Sequence, residues 1–339
     1  QMINAGIDLQ MFDGYIGFSV DYYNTNTSNM LLYVPVPLLT GYSTSLQNLG
    51  KVNNRGWELA LTSQHTFANG FGYSFNANYA KNTNEVKELG PGNAPIISSG
   101  SVGHAYYITE VGKPIGNYYL LVQDGIFATE EDLKKYPHFD NTEVGDFRFV
   151  DVDGDGKLDL DKDRTICGNY MPKFTYGFGG KLWYAGFDMD FNFQGVYGNK
   201  ILNLNKRYLD NMEGNTNGTK IALDRWKSPE NPGSGSVNKA NRKQTGYNSR
   251  TSTWHLESGS YLRLQNLSLG YTLPRALTQK FKVEKMRVYV SGQNLFTITN
   301  YSGYNPEVNA RPSKNLTPGE DYGTYPLART YMFGLNLTL

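Results

Sequence analysis

The sequence of 339 residues predicts an all-β fold, an antiparallel transmembrane β-barrel with long extracellular loops. The segment from Thr330 to Leu339 is the clearest sign, because every second residue from Tyr331 onward is large and apolar. Successive side chains of a strand point to opposite faces, so this segment has one apolar and one polar face. Its length suits a tilted strand that crosses a bilayer, which needs about 9–11 residues.

The same alternation recurs in segments 16–22, 71–79, 174–178 and 187–194. In the last of these, bulky apolar residues alternate with strongly polar ones: Phe187, Met189, Phe191 and Phe193 against Asp188, Asp190, Asn192 and Gln194. A solvated antiparallel sheet also has one polar face, but the density of Phe and Tyr favours contact with lipid. We therefore expect Phe191 to face lipid and the polar row to face a lumen.

Short and long connections alternate along the chain. The predicted short turns lie at 13–14, 66–70, 113–116, 184–186 and 274–284, and the predicted long loops at 24–53, 83–104, 124–172, 197–259 and 296–327. Outer-membrane barrels have short periplasmic turns and long external loops. The pattern predicts eleven strands, about half of a barrel of ~22 strands. Since no signal peptide precedes Gln1, we expect the sequence to be part of a longer polypeptide.

Composition excludes several other classes of protein. Lys and Arg number 32 against 31 Asp and Glu, a formal net charge of +1, so nothing favours binding to nucleic acid. The single cysteine, Cys167, excludes an intramolecular disulfide framework and a cysteine-rich zinc site. No catalytic motif of the G-x-S-x-G or H-E-x-x-H type occurs, so no catalytic residue is assigned.

One acidic loop (residues 151–163) is similar to the start of an EF-hand calcium loop, with oxygen-bearing side chains at positions 1, 3 and 5 and glycine at position 6. Position 12 is Lys162, where a carboxylate is expected, and a bulge would let the next residue act as the last ligand. The predicted ligand set is Asp151, Asp153, Asp155, Lys157, Asp159 and Asp163. We expect a structural calcium ion; the alternative is a solvated acidic turn held by backbone hydrogen bonds.

Aromatic residues in the long loops are candidates for stacking on a ligand. They are Trp226, Tyr42, Tyr301, Tyr304 and Tyr322. The alternative for each is packing within its own loop.

Motifs spread through the chain, in order, resemble the C-terminal part of the SusC/RagA-type TonB-dependent transporters. The similar segments are Asn48 to Glu58, Gly145 to Gly156, Asp163 to Phe178, Gly186 to Gly195, Asp224 to Trp226 with Asn231-Pro232, Ser260 to Pro274 and Val290 to Phe296. The resemblance implies that residues 1–339 form the C-terminal part of the β-barrel domain, and we expect the plug and the N-terminal strands to lie outside this sequence.

The resemblance also implies function and partners. It implies import of an oligosaccharide, or of a peptide in some members, across the bacterial outer membrane, with energy relayed through TonB. It implies a SusD-like surface lipoprotein as a lid, outer-membrane lipid around the barrel, and a dimer of transporter–lipoprotein pairs. No enzymatic step is required.

Two alternatives stay open from the residues alone. One is a passive porin-like or adhesive barrel, which needs neither a plug nor a partner. The other is a secreted, calcium-stabilised β-protein that binds or cleaves glycans.

Overall fold

A computed structural model of the chain describes residues 1–36, 39, 41, 42, 44–102, 104–243 and 246–339. Its principal element is an antiparallel sheet in which nine strands of the described residues pair in chain order. Numbered along the chain, these are β1 (Met2–Met11), β2 (Ile16–Pro35), β3 (Thr44–Thr66), β4 (Gly72–Glu88), β11 (Phe174–Tyr184), β12 (Phe187–Tyr197), β15 (Tyr261–Thr272), β16 (Lys285–Thr299) and β18 (Thr330–Thr338).

The remaining strands form three smaller sheets within the long connections. Sheet order is β10-β7-β6-β5 in the largest, β14-β13-β17 in the second and β8-β9 in the third. Their bounds are β5 (Ile96–Ser99), β6 (Tyr106–Thr109), β7 (Asn117–Leu121), β8 (Gln123–Ile126), β9 (Phe147–Phe149), β10 (Arg164–Gly168), β13 (Lys200–Asn203), β14 (Leu256–Ser258) and β17 (Glu320–Asp321).

Helices are short. The α-helices are α1 (Glu130–Lys135), α2 (Lys206–Leu209) and α3 (Arg275–Thr278), and 3-10 turns lie at Pro91–Asn93, Lys220–Asp224, Thr253–His255 and Gln279–Phe281. None of the helices in the described part of the chain is long and apolar enough to cross a membrane.

The strand register separates polar from apolar side chains across the whole principal sheet. One row of directly paired residues crosses all nine strands and is polar or glycine throughout: Gln10, Gly17, Thr62, Asn76, Gly179, Asn192, Asn266, Gln293 and Thr330. The next row, on the opposite face, is apolar: Leu9, Phe18, Leu61, Ala77, Phe178, Phe193, Leu264 and Phe296. The predicted two-faced wall is therefore confirmed.

Phe191 lies on the apolar face, as the sequence predicts. It pairs with Gly180 on one side and with Leu267 on the other. Asp188, three residues away and hence on the opposite face, forms a bidentate ion pair with Arg287, with nitrogen–oxygen distances of 2.9 and 2.6 Å. The ion pair marks the polar face as the one that carries charge.

Aromatic side chains form a band at each end of the sheet. At the end with short turns, Tyr15 contacts His65, and ring contacts continue through Phe67 and Phe71 to Tyr184. At the other end, rings pair in the same manner: Tyr22 with Trp57, and Phe174 with both Tyr79 and Tyr197. Two such bands are typical of a barrel wall at the two membrane–water interfaces.

The predicted strand count of eleven is wrong, because the described principal sheet has nine strands. The segments on either side of the predicted short turn at 113–116, that is 104–113 and 116–124, do form a hairpin, but as β6 and β7 of a small sheet. Side chains of these strands, such as Tyr107, Tyr118 and Leu120, are buried in a loop core. A strand that is apolar on both faces suits such a core, whereas a barrel strand needs one polar face.

The loop boundaries also differ from expectation at two places. The predicted long loop at 24–53 is mostly strand, because β2 and β3 pair with each other as far as Pro35 and Thr44. The predicted loops at 83–104 and 124–172 belong to a single connection between β4 and β11. Four of the predicted short turns are confirmed at one end of the sheet, between β1 and β2, β3 and β4, β11 and β12, and β15 and β16, whereas the one at 113–116 lies inside the connection between β4 and β11.

Arginine in place of Phe191 should destabilise the barrel in a bilayer by about 2–4 kcal/mol, because it would place a charge on the apolar face near mid-membrane. The comparison is Asn192→Arg, which puts the same charge on the polar face. Denaturant unfolding of the native protein in lipid vesicles measures both. Equal losses from the two variants would contradict the assignment of faces.

Candidate ligand-binding loops

Three long connections meet at one end of the principal sheet. We call them the first loop (89–173), the second loop (198–260) and the third loop (300–329). Buried side chains join them in pairs: Tyr107 and Tyr118 of the first loop pack on Leu202 and Leu204 of the second. In the same way, Ile201 of the second loop packs on Tyr301 and Val308 of the third. The three loops therefore pack together as one unit, which we call the loop assembly.

A buried carboxylate connects the third loop to the first. Glu320 is fully buried, and its oxygens accept hydrogen bonds from the backbone N–H and hydroxyl of Ser101 and from the hydroxyl of Tyr107, at 3.1 Å for the last. Burial is the main cause that raises the pKa of the Tyr107 hydroxyl, so this group stays protonated and donates. These hydrogen bonds compensate the polar oxygens of Glu320 for their removal from water.

A second carboxylate attaches the third loop to the barrel wall. Glu307 accepts hydrogen bonds from Tyr261 and from Arg263, and Arg263 also donates to Asn305 at 2.8 Å. Arg263 pairs with Gln194 across the polar face, so the third loop folds against that face. Its position relative to the strands is thereby fixed.

A groove lies between the second and third loops, with a volume of about 380 Å³. Its lining comes from both loops: Asn203, Asn205, Lys206, Leu209, Asp210, Thr219, Ser302, Gly303, Tyr304, Gly323, Thr324, Tyr325 and Pro326. We call it the loop groove. The Gly323 N–H donates to the Asn205 side chain at 2.9 Å, which connects its two walls.

Two tyrosines of the loop groove project into solvent. Tyr304 is 83% exposed and Tyr325 is 88% exposed. The side chain of Lys206, in the same groove, is fixed by Trp254. Its ammonium group donates to the Trp254 carbonyl at 2.8 Å and lies 4.2 Å from the centre of the Trp254 ring. The groove thus offers free aromatic faces with hydroxyl groups, which suits sugars or peptides.

The other predicted aromatic residues have different surroundings. Tyr301 is 5% exposed, and its hydroxyl donates to Asp321. Trp226 is half-buried and packs on the core of Leu121, Ile126, Phe139, Phe147 and Phe149. Neither ring has much face left for a ligand.

Two predicted tyrosines are more accessible. Tyr322 is half-exposed, with its ring centre 6.1 Å from that of Tyr208, and Tyr42 is 73% exposed near the tip of the β2–β3 hairpin. The structure brings only Tyr304 of the predicted aromatic residues into the lining of the loop groove. Tyr325 was not among the predicted residues. The pattern that singled out Tyr322, an aromatic residue among small and polar ones in the last loop, applies equally to Tyr325 and could have identified it.

The acidic loop brings three of its predicted ligands together. Carboxylate oxygens of Asp151, Asp153 and Asp155 lie within 4.8 Å of one another. Asp151 accepts from the N–H groups of Gly154 at 2.7 Å and Gly156 at 2.8 Å. These backbone hydrogen bonds, chiefly that from Gly156, lower the pKa of Asp151, so the carboxylate is charged at neutral pH.

The remaining predicted ligands are placed differently. Asp163 is fully buried and closes the acidic loop, because its two oxygens accept from Val152 N–H at 2.8 Å and Asp159 N–H at 2.6 Å. Asp159 accepts from the backbone of Asp161 at 2.7 Å. Lys157 donates its backbone N–H to Asp155 at 2.9 Å. The donor set near the three aspartates consists of hard oxygens, which suit calcium.

The fold and loops together define a class of protein: an antiparallel barrel wall that carries an assembly of interlocked long loops at one end. A family model described as TonB dependent receptor-like, beta-barrel, matches residues 3–295. The chain therefore belongs to the family of TonB-dependent receptor β-barrels, and membership implies an outer-membrane location.

Individual relatives agree with the SusC/RagA-type resemblance. The chain is 34% identical to TonB-dependent receptor P3 of Formosa agariphila, over 99% of this chain and 34% of that relative. It is 27% identical to TonB-dependent receptor SusC of Bacteroides thetaiotaomicron, over 98% of this chain and 31% of the relative. The chain thus spans about a third of the length of these curated relatives.

A solved structure supports the same fold. The RagAB peptide importer in its 'closed-closed' state superposes with a TM-score of 0.77 at 26% identity, over 99% of this chain and 35% of that one.

Acidification should loosen the second loop through His255, which is fully buried. Burial is the main cause that lowers the pKa of His255 to about 3, against an ordinary value of 6.5. Between these values the unfolded state binds a proton that the folded state does not, so stability is complete above 6.5 and falls as pH drops. At pH 5 the loss is about 2 kcal/mol.

Hydrogen exchange of residues 252–258, corrected for the intrinsic effect of pH, measures this loss. His255→Gln removes the titrating group and should flatten the pH dependence between 7 and 5. The same slope in both proteins would contradict the role of His255.

Proposed function

We propose that this chain contributes the barrel wall and ligand-binding loops of an outer-membrane importer that is driven through TonB. The proposed cargo is a nutrient, most simply an oligosaccharide, with a peptide as the second candidate. The observation that carries the proposal is the loop groove, where Tyr304 and Tyr325 present free rings at the end of the barrel with the long loops. Binding and release require no covalent chemistry.

The proposed partners follow from the family. A SusD-like lipoprotein would cover the loop assembly, TonB would act through a part of the protein outside residues 1–339, and two such pairs would form a dimer. The likeness to SusC supports the lipoprotein, and the likeness to the RagAB peptide importer supports peptide as an alternative cargo. A passive porin would need neither partner.

Native mass spectrometry of the protein from its own membrane, in mild detergent, tests this assembly. A bound lipoprotein and a polypeptide longer than 339 residues are the expected results. A species of 38.1 kDa with no partner would contradict the importer and favour the porin alternative.

Removing the two exposed rings of the loop groove should weaken binding of the cargo. Each of Tyr304→Ala and Tyr325→Ala should cost about 1 kcal/mol, or about fivefold in affinity, because an aromatic platform is lost. Calorimetric titration with oligosaccharide and peptide pools measures this. Tyr184→Ala is the control, since it removes an exposed tyrosine from the opposite end of the sheet.

Equal weakening by the Tyr184 variant, or none by the groove variants, would contradict the assignment of the groove. We further propose that Tyr322 of the third loop and Tyr42 of the β2–β3 hairpin, both accessible, add contacts to the cargo.

We also propose that the acidic loop binds calcium, with Asp151, Asp153 and Asp155 as the core of the site. Carboxylates this close together repel one another, and a divalent cation would offset the repulsion. The ion would stiffen the first loop and take no part in transport chemistry.

Chelation of calcium should therefore increase proteolysis within residues 151–163. Asp153→Asn should reproduce the increase without a chelator. Asp140→Asn should not, because Asp140 is an exposed aspartate of the first loop that lies outside the acidic loop. Mass spectrometry of the fragments locates the cleavage. Cleavage that is unchanged by chelator would argue for a solvated turn without an ion.

A further inference from the structure

Three arginines from separate segments of the loop assembly lie near His104: one contacts its ring, one donates to the carbonyl of Ser249 beside the first, and one lies over the ring of Tyr106, two residues from His104. They are Arg164 of β10, Arg207 of α2 and Arg250, which precedes the turn at Thr253–His255. The guanidinium group of Arg250 contacts the imidazole ring of His104. We call Arg164, Arg207 and Arg250 the arginine cluster.

The members of the arginine cluster act on one another and on His104. Burial, followed by the positive charges of Arg250, Arg207 and Arg164, lowers the pKa of His104 to about 4, so its ring is neutral at pH 7. Burial and the charges of Arg207 and Arg164 also lower the pKa of Arg250. Like charges are therefore held close together in a partly desolvated position.

Opposite charge within the protein does not balance the cluster. Arg164 pairs with Asp161 at 3.0 Å, but Asp161 itself is 87% exposed. Among the residues that the structure describes, no carboxylate forms an ion pair with Arg207 or Arg250, and Arg207 donates to the backbone carbonyl of Ser249. A partly buried charge without a partner is costly.

The guanidinium groups are nevertheless held in place. Arg164 lies over the Tyr106 ring, 3.7 Å from its centre, and Arg250 lies 5.3 Å from the centre of the Tyr247 ring. His104 has a φ of 74°, a left-handed conformation that is uncommon outside glycine. Backbone strain of this kind persists where the surrounding structure imposes it, and it is concentrated at functional sites.

We propose that the arginine cluster binds an anionic group, a sulfate, phosphate or carboxylate, on the imported molecule. Guanidinium groups match the oxygens of such groups in a bidentate manner and form strong, charge-assisted hydrogen bonds. The assignment of the anion to the cargo rests on the proposed import function. The capacity of the arginine cluster to bind an oxyanion is independent of that function.

Sodium sulfate is the first probe of the cluster. Calorimetric titration of the native transporter in mild detergent, against sodium chloride at equal ionic strength, should show saturable binding of sulfate. Arg250→Gln and Arg207→Gln should each weaken it by about tenfold, the effect of losing one charge-assisted hydrogen bond. Arg250→Lys, which keeps the charge but loses the planar fork, should give an intermediate loss.

Arg225→Gln is the matched control, because it removes the same charge from the second loop, where Arg225 donates to the Ala222 carbonyl at 3.0 Å. It should bind sulfate as the wild type does. Thermal unfolding of every variant verifies that it is folded. No sulfate binding beyond chloride by the wild type, or an equal loss in Arg225→Gln, would overturn the site.

A second titration links the anion to the cargo. A sulfated glucan oligosaccharide should bind more tightly than its unsulfated parent, and Arg250→Gln should remove the difference. Equal binding of both glycans by the wild type would overturn the assignment to cargo. Failure of the proposed import function would give a different result. Binding of the oligosaccharide would then not depend on Tyr304 and Tyr325, whereas sulfate would still bind to the arginine cluster.

Discussion

Unbroken antiparallel register from β1 to β18 is the constraint on which the rest of this structure depends. Each strand must satisfy its backbone groups through its neighbours, since a membrane interior offers no water to replace them. Because the side-chain period is two, a slip by one residue at any pair would turn a polar row toward lipid. The row of directly paired residues from Gln10 to Thr330 shows that no such slip occurs, even across the bulges near Asn192 and Leu264.

The same register decides where function can lie. With the short turns between neighbouring barrel strands at one end, the three long loops are gathered at the other, and their combined length lets them build small cores of their own. The buried carboxylate of Glu320 then fixes the third loop to the first loop, and the exposed carboxylate of Glu307 fixes it to the barrel wall. The loop groove and the arginine cluster are consequences of this packing, because each combines residues from loops that are distant in sequence.

Sequence reasoning succeeded where a local pattern is enforced by one environment. Strict alternation in 187–194 and 330–339 reflects the contrast between lipid and water on the two faces, and it led to the correct strands and faces. It failed for 104–113 and 116–124, because these segments form strands β6 and β7 of a loop sheet and not strands of the barrel. The signal was present, since Tyr118, Tyr119, Leu120 and Leu121 are consecutive apolar residues rather than alternating ones. The acidic loop was similarly visible, because its aspartates and glycines are close in the chain.

The sequence by itself determined the two-faced strands, the short turns between neighbouring barrel strands and the family. These depend on side chains within a few residues of one another, and the strand period converts them directly into geometry. Only the tertiary structure decided that Tyr301 is buried against Asp321 while Tyr304 and Tyr325 are free, although all three lie in one loop. It alone placed Arg164, Arg207 and Arg250 near His104. Contacts between residues that are dozens of positions apart arise from the packing of whole loops, and no local period encodes them.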